Sequence, residues 1–306
     1  MPTTLTAALS GITCPLVTPF DESGDVDGDA FGDLVEFTVD GGIDGIFPCG
    51  TTGEFASLSP AERRRVTELA VDHAGGEVPV LAGTAATSVA EAVAAIDDAA
   101  AVGADAAVVT PPYFHAANDP AGNRRFFEAV ADESPLPLLL YNIPSCTGRG
   151  LAPETIEALA AREDVIGLKD SSGDLEFVRD AIRRTPAEFR VVQGYDALLV
   201  PALRTGADGG VNALANVVPS VYAEVVERAD DERGGELQAA VSRLFDACGE
   251  YGFAPATKTA LTVRGVIPTD TVRPPLVEVP PAGRTAIENS LEELLSLRAE
   301  GSEDLV

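Results

Sequence analysis

The sequence predicts a closed (β/α)8 barrel, the TIM barrel, followed by additional C-terminal helices, and three observations carry that expectation. Short apolar runs recur eight times, at 12–17, 45–49, 78–82, 106–110, 137–143, 165–168, 190–193 and 209–214. Each is followed by a longer segment whose apolar residues have helical spacing, so strand and helix alternate along the chain. The runs are nearly continuous in apolar residues, the pattern of parallel strands covered by helices. Eight such units in one domain describe a barrel, with an open doubly wound sheet as the alternative.

The elements support this in order. ITCPLV opens the series at residue 12 and is followed by the run at 45–49. The helix after that second run is announced by Ser59-Pro60-Ala61-Glu62, a capping hydroxyl with proline at the first helical position and a carboxylate three residues on. Ser88 and Glu91 repeat the device after the third run. The second, fourth, fifth, sixth and seventh runs each lead into a distinct motif at the strand's carboxyl end. After about residue 230 the strand signals stop. ELQAAVSRLFDACGEYG, PATKTALTVRG and RTAIENSLEELLSLRAE then read as helices packed on the barrel. Residues 1–230 are therefore expected to form the catalytic barrel and 231–306 a helical extension, with no linker long enough for an independent second domain.

Composition narrows the function. Of 306 residues, 49 are acidic and 21 basic, giving a formal net charge of −28, and no basic patch is long enough to follow a phosphate backbone. Nucleic acid is excluded as an expected partner. At molar salt the screening length falls to about 3 Å, so scattered acids read as adaptation to salt, against the alternative of a cationic partner. The segment MPTTLTAALSG has no basic region leading into a long apolar one, and the chain offers no uncharged apolar stretch of some 18 residues. No membrane association and a cytoplasmic location are expected. Cys14, Cys49, Cys146 and Cys248 lie far apart, and only His73 and His115 could join them as ligands, so reduced thiols and no metal are expected.

In a parallel barrel the chemistry gathers at the carboxyl ends of the strands. The motifs at those ends are GTTGE at 50–54, PPYF at 111–114, YNIPS at 141–145, Lys169 in GLKDSS, and QGYD at 193–196. Lys169 and Lys258 are the two lysines of the chain, and the other 19 basic residues are arginines. A lysine can become a neutral amine nucleophile when desolvated, which arginine cannot. Lys169, at a strand end between apolar and small polar residues, suits that role, the alternative being an ion pair with Asp170 or another acid. Lys258, within a C-terminal helix, suits the structural role. Tyr141 ends its strand next to that of Lys169, where a phenol can give and take protons, unless it is a plain core tyrosine. The turn at Thr51 and Thr52 offers backbone N–H groups for a carboxylate, or is merely a tight loop; it lacks the ending of a nucleotide-binding loop.

Taken together these motifs, in this order, resemble the dihydrodipicolinate synthase and N-acetylneuraminate lyase family of pyruvate-dependent class I aldolases. The resemblance runs from TCPLVTPF to GVIPTDTVRPPL, nearly the whole chain. It implies that Lys169 forms the Schiff base with a 2-keto acid, that Tyr141 shuttles protons and that Thr51 joins the relay. It further implies that Thr52 holds the pyruvate carboxylate through its backbone, and that Gly194 and Val211 line the site. Tyr113 matches the tyrosine that enters a neighbouring subunit's relay, which implies a homotetramer built as a dimer of dimers. No metal or organic cofactor is implied. One position departs from the synthases. Cys146 stands in YNIPSCTG where they usually carry an arginine for the second substrate's carboxylate, and Arg149 is three residues away. The departure favours cleavage of a 2-keto-3-deoxy sugar acid such as 2-keto-3-deoxygluconate over condensation of pyruvate with aspartate semialdehyde. N-acetylneuraminate cleavage and keto-acid dehydration are further family reactions. The run GADGGVNALAN has no basic residue, which weakens a sugar-phosphate isomerase reading. A non-catalytic binding protein on this scaffold would need neither Lys169 nor Tyr141.

Overall fold

The computed structural model describes residues 4–303. Its strands are β1 (Ile12–Cys14), β2 (Gly45–Ile46), β3 (Leu81–Gly83), β4 (Ala106–Val109), β5 (Leu138–Asn142), β6 (Val165–Asp170), β7 (Arg190–Gln193) and β8 (Gly209–Val211). Every one falls on or overlaps an apolar run. All are parallel, in the order β2-β1-β8-β7-β6-β5-β4-β3. The ring closes between β2 and β3 through the parallel bridge Ile46 to Val80 and the backbone bond from Ile46 N–H to Pro79 O, 3.0 Å. The open doubly wound alternative is thereby ruled out.

Three aspartates sew neighbouring strands together at their amino ends. Asp44, Asp105 and Asp208 each precede a strand by one residue, and each accepts the N–H of a residue on the adjacent segment, Ile12, Val80 and Val191, at 2.8 Å. The barrel interior is apolar, built from Phe47, Leu81, Val108, Leu139, Tyr141, Val192 and Val211. Leu5 and Leu9, from the short helix Leu5–Ala8 and its end, join that cluster from the amino side of β1. This N-terminal plug has no strong sequence signal, being a single helical turn.

The Ser59 cap forms in full: Ser59 Oγ accepts from Glu62 N–H at 3.3 Å and Glu62 accepts from Ser59 N–H at 2.8 Å. The Ser88 cap forms by half. Its hydroxyl takes the Glu91 N–H, but the Glu91 carboxylate turns to the Thr87 hydroxyl at 2.9 Å, a nearer donor that spacing alone does not reveal. The C-terminal helices are Glu232–Gly249, Phe253–Val263 and Pro281–Glu303. Their Leu237, Leu244, Leu261, Ile287 and Leu291 share one buried cluster with Val17, Phe31 and Tyr222 around the barrel. No helix among the described residues is long and apolar enough to cross a membrane.

Candidate active site

Parallel pairing sets Tyr141 directly opposite Lys169, and Lys169 opposite Val192. All three side chains point to the inside of the barrel. Lys169 and Tyr141 are each 4% exposed, and the amine sits 4.1 Å from the Tyr141 ring centre and 5.0 Å from that of Phe47. Both distances lie within cation–π range. The expected alternative, an ion pair with Asp170, does not form. Successive strand residues face opposite ways, and Asp170 is taken up outside the barrel by the Asn142 amide at 2.6 Å and the Ser172 hydroxyl at 2.8 Å. The Asn142 bond also ties β5 to β6 one residue beyond the Tyr141–Lys169 pair. Burial pushes the Asp170 carboxyl up, against the opposing effect of its hydrogen bonds.

The amine opens into a cavity of about 270 Å³ lined by Thr51, Thr52, Tyr141, Lys169, Ser171, Gly194, Asp196 and Val211, and walled by Phe245, Phe253 and Leu276. Six of the residues singled out in the sequence thus meet here: Lys169, Tyr141, Thr51, Thr52, Gly194 and Val211. Gly194 is needed for space. A Cβ there would fall 2.2 Å from Ser171 Oγ and 2.8 Å from Lys169 Cε. The Thr51–Thr52 turn is bracketed by Cys49 at φ 58° and Glu54 at φ 54°. Each left-handed non-glycine residue costs about 1 to 2 kcal/mol, which surrounding contacts must hold. Among the described residues the N–H groups of Thr51 and Thr52 donate to no acceptor, while those of Gly53 and Glu54 close the turn onto Gly50 and Thr51. Such a pair of open donors suits a carboxylate.

Tyr113 and Cys146 lie elsewhere. Both line an adjoining compartment of about 290 Å³, which shares Thr51, Ile143 and Leu276 with the first and adds Thr110 and Thr147. Tyr113 packs edge-on to Phe55 and also borders an outer cleft of about 360 Å³ beside Arg63 and Arg64. Arg149 is turned away from both compartments, its Nη1 donating to Ala117 O at 3.2 Å.

Several site residues carry roles that the sequence alone does not assign. Ser171 Oγ donates to Gly194 O at 3.1 Å and lies 3.5 Å from Tyr141 Oη. Asp196, the last residue of QGYD, is buried at the cavity wall and accepts from Tyr222 Oη at 2.5 Å and from the N–H of Leu214 and Ala213. Burial raises its carboxyl, opposed by these bonds and by the Lys169 charge. Position at the end of β7 is the signal that marks Asp196; Tyr222, on the helix after β8, has none. Of the thiols, Cys49 and Cys248 are pushed up to about 12 by burial, and Cys14 is raised by burial and by Asp196. Cys146 is the exposed cysteine. Lys258 is wholly buried with Glu54, as the structural reading of that lysine expects.

An amine at a strand end, a phenol beside it and two open N–H donors across a small cavity can bind a 2-keto acid and add to its keto group. The dihydrodipicolinate synthetase family model matches residues 8–294. The chain belongs to that family. It is 38% identical over 94% of its length to a DapA-like lyase of Halobacterium salinarum, 94% of which is covered. It is 35% identical to the 4-hydroxy-tetrahydrodipicolinate synthase of Syntrophus aciditrophicus, over 92% of this chain and 97% of that one. Among solved structures it is similar to a prophage protein of the dihydrodipicolinic acid synthase family from E. coli K12, in complex with pyruvate. The TM-score is 0.88, at 30% identity over 93% of this chain and 98% of that one. The protein is accordingly a pyruvate-dependent lyase of the dihydrodipicolinate synthetase family.

Proposed function

We propose that the protein is a class I aldolase that cleaves a 2-keto-3-deoxy sugar acid, of the type of 2-keto-3-deoxygluconate, into pyruvate and a neutral aldehyde. In this reading Lys169 Nζ adds to the C2 keto group and water leaves, giving an iminium ion. Tyr141 Oη gives its proton to the departing water and, as phenolate, takes the proton of the C4 hydroxyl as the C3–C4 bond breaks. The bond's electron pair passes into the iminium and forms an enamine. Protonation of C3 and hydrolysis then release pyruvate and restore the amine. The open N–H groups of Thr51 and Thr52 hold the C1 carboxylate, Gly194 and Val211 bound the reacting carbons, and Thr51 connects the two compartments.

The observation that carries the substrate choice is the absence, among the described residues, of any guanidinium from the lining of both compartments, in which Lys169 is the one cation. Cys146 occupies the expected arginine position and Arg149 is spent on Ala117 O. Apart from the Glu54 carboxylate, whose oxygens are taken by Lys258 and the Arg273 N–H, the polar groups that the second compartment offers are uncharged, chiefly the hydroxyls of Thr51, Thr110 and Tyr113. The Thr110 hydroxyl is buried without a partner among the described residues. Hydroxyl groups suit a polyol tail better than a second carboxylate.

The competing reading is condensation of pyruvate with aspartate semialdehyde, favoured by the 4-hydroxy-tetrahydrodipicolinate synthases among the relatives. A substrate panel separates the two. The native protein should release pyruvate from 2-keto-3-deoxygluconate much faster than it condenses the semialdehyde, and Cys146→Arg should narrow the gap. A charge-assisted bond of about 1.5 to 3 kcal/mol corresponds to roughly ten- to a hundredfold. Efficient condensation by the native protein overturns the substrate assignment and leaves the Schiff base standing. The panel belongs at molar salt, since the net charge of −28 supports a salt-adapted protein. A homotetramer fits Tyr113 and its neighbour Phe114, 81% exposed in the single chain.

A further inference from the structure

We propose that Glu54, Lys258 and Arg273 form a positioning tether that sets the Thr51–Thr52 turn and the Leu276 wall in register with the Lys169 amine. The proposal rests on the reading of Lys169 as the imine-forming amine, and concerns residues that the chemistry itself does not use.

Lys258 and Glu54 lie 204 positions apart in sequence, with both side chains wholly buried and 2.5 Å between Nζ and Oε1. The second Glu54 oxygen accepts the N–H of Arg273 at 3.1 Å. Lys258 also donates to Thr271 O at 2.8 Å, and its charge faces the Phe20 ring at 3.9 Å. The Arg273 guanidinium then reaches back to the same turn. It donates to Ser57 O and Gly24 O at 2.9 Å each and to Glu62 at 2.5 Å. Three remote segments are joined at one point: residues 54–57, the helix Phe253–Val263 and residues 271–273.

The helix supplies wall to the cavity, and the other two segments directly adjoin residues that do. Phe253, Ala254 and Pro255 begin the helix that carries Lys258, and Leu276 follows Arg273 by three residues. Glu54 follows Thr52 by two. The turn cannot settle elsewhere easily, because Gly53 O is already held by the buried Thr18 hydroxyl at 2.8 Å. Glu54 keeps a left-handed backbone, and both of its carboxylate oxygens are fixed from the C-terminal side. A buried ion pair adds little net stability over well-packed apolar side chains, but it is directional. Direction is what the open N–H groups of Thr51 and Thr52 need if a carboxylate is to lie at the right distance from Lys169.

The test measures the pyruvate concentration that gives half-maximal borohydride trapping on Lys169. The proteins compared are wild type, Lys258→Met, the charge-free double variant Glu54→Gln with Lys258→Met, and the milder Arg273→Gln. A misplacement of about an ångström is worth up to about a hundredfold. Half-saturation should rise roughly tenfold or more in Lys258→Met and stay raised in the double variant. The double variant, which leaves no unpaired buried charge, should recover most of the melting temperature lost by the single one. Arg273→Gln should raise half-saturation less. An unchanged half-saturation in the double variant overturns the tether while the Schiff-base reading stands. So does a loss that merely tracks the melting temperature, or failure of all three variants to fold, either of which makes the ion pair a folding element. No trapping by the wild type overturns the Lys169 reading itself.

Discussion

Lys169 at the mouth of the barrel and Lys258 in the C-terminal helix are alike in burial, 4% and 0% exposed, and opposite in company. Lys258 has a carboxylate at 2.5 Å, a carbonyl at 2.8 Å and an aromatic face. Lys169 makes no ion pair among the described residues, and its amine faces the rings of Tyr141 and Phe47. Burial therefore does not separate the lysine proposed to react from the structural one; the partner does. A buried amine with no carboxylate beside it is costly to folding, an arrangement that the proposed imine chemistry accounts for. Where the carboxylate is present, burial still pushes Lys258 down to about 8, with the Glu54 charge opposing it.

The contrast is most directly tested at Lys169. Lys169→Met keeps the length of the stem and removes the amine, so pyruvate with borohydride should add no mass to the protein and turnover should fall to background. Melting temperature should hold or rise, because a buried amine with no hydrogen-bond partner among the described residues gives way to an apolar side chain. Lys258→Met should still be trapped at saturating pyruvate, with the adduct mapped to Lys169. An adduct on Lys258 in the Lys169→Met protein would erase the distinction between the two.

Tyr141 comes next in expected effect. Tyr141→Phe keeps the ring beside the amine and the edge-on contact with Phe47, whose ring centre lies 6.4 Å away, and removes the hydroxyl alone. Turnover should drop by about 10² to 10⁴ if the phenol moves protons. Wild-type turnover would reduce Tyr141 to packing, and leave Lys169 distinguished only by its position.

The legible and illegible parts of the molecule divide along the same line. Eight apolar runs reveal eight strands because parallel strands buried on both faces have no polar positions to spare. Lys169 and Tyr141 are legible because they are 28 residues apart in sequence on successive strands, and parallel pairing brings such residues side by side at the carboxyl end. The far partner of each relationship is not. Glu54 stands in GTTGE and Lys258 reads as structural, yet nothing in local spacing joins two residues 204 positions apart. That pairing depends on how the C-terminal helices pack against the barrel mouth, which apolar periodicity leaves free. Asp196 and Tyr222 meet in the same way, across helix packing, while Arg149 turns toward Ala117 O in a contact between two loops, so that no guanidinium among the described residues faces the second compartment.

The smallest expected effect lies at the outer end of the Lys258 side, where Arg273 meets Glu62 at the surface. The Arg273 hydrogen bond, with help from Ser59 N–H, holds the Glu62 carboxyl down at about 2, from an ordinary 4.5. A carboxyl whose folded value lies below its unfolded one binds fewer protons in the folded state, so its contribution is complete above about pH 4.5. It is lost as pH falls from there through about 2. The Glu62 side chain is 31% exposed, and solvent screening keeps the contribution to about 1 kcal/mol. Glu62→Gln should therefore lower the melting temperature by a few degrees at pH 7. The gap to wild type should close between about pH 4.5 and 2, as the native carboxylate is protonated and comes to resemble the amide. Half-saturation for pyruvate should move little, because Arg273 keeps its bonds to Gly24 O and Ser57 O. A gap that stays constant down to pH 2 would mean that Glu62 acts through packing or the helix cap rather than through its charge on Arg273. A large rise in half-saturation would mean that the positioning role extends to this surface pair.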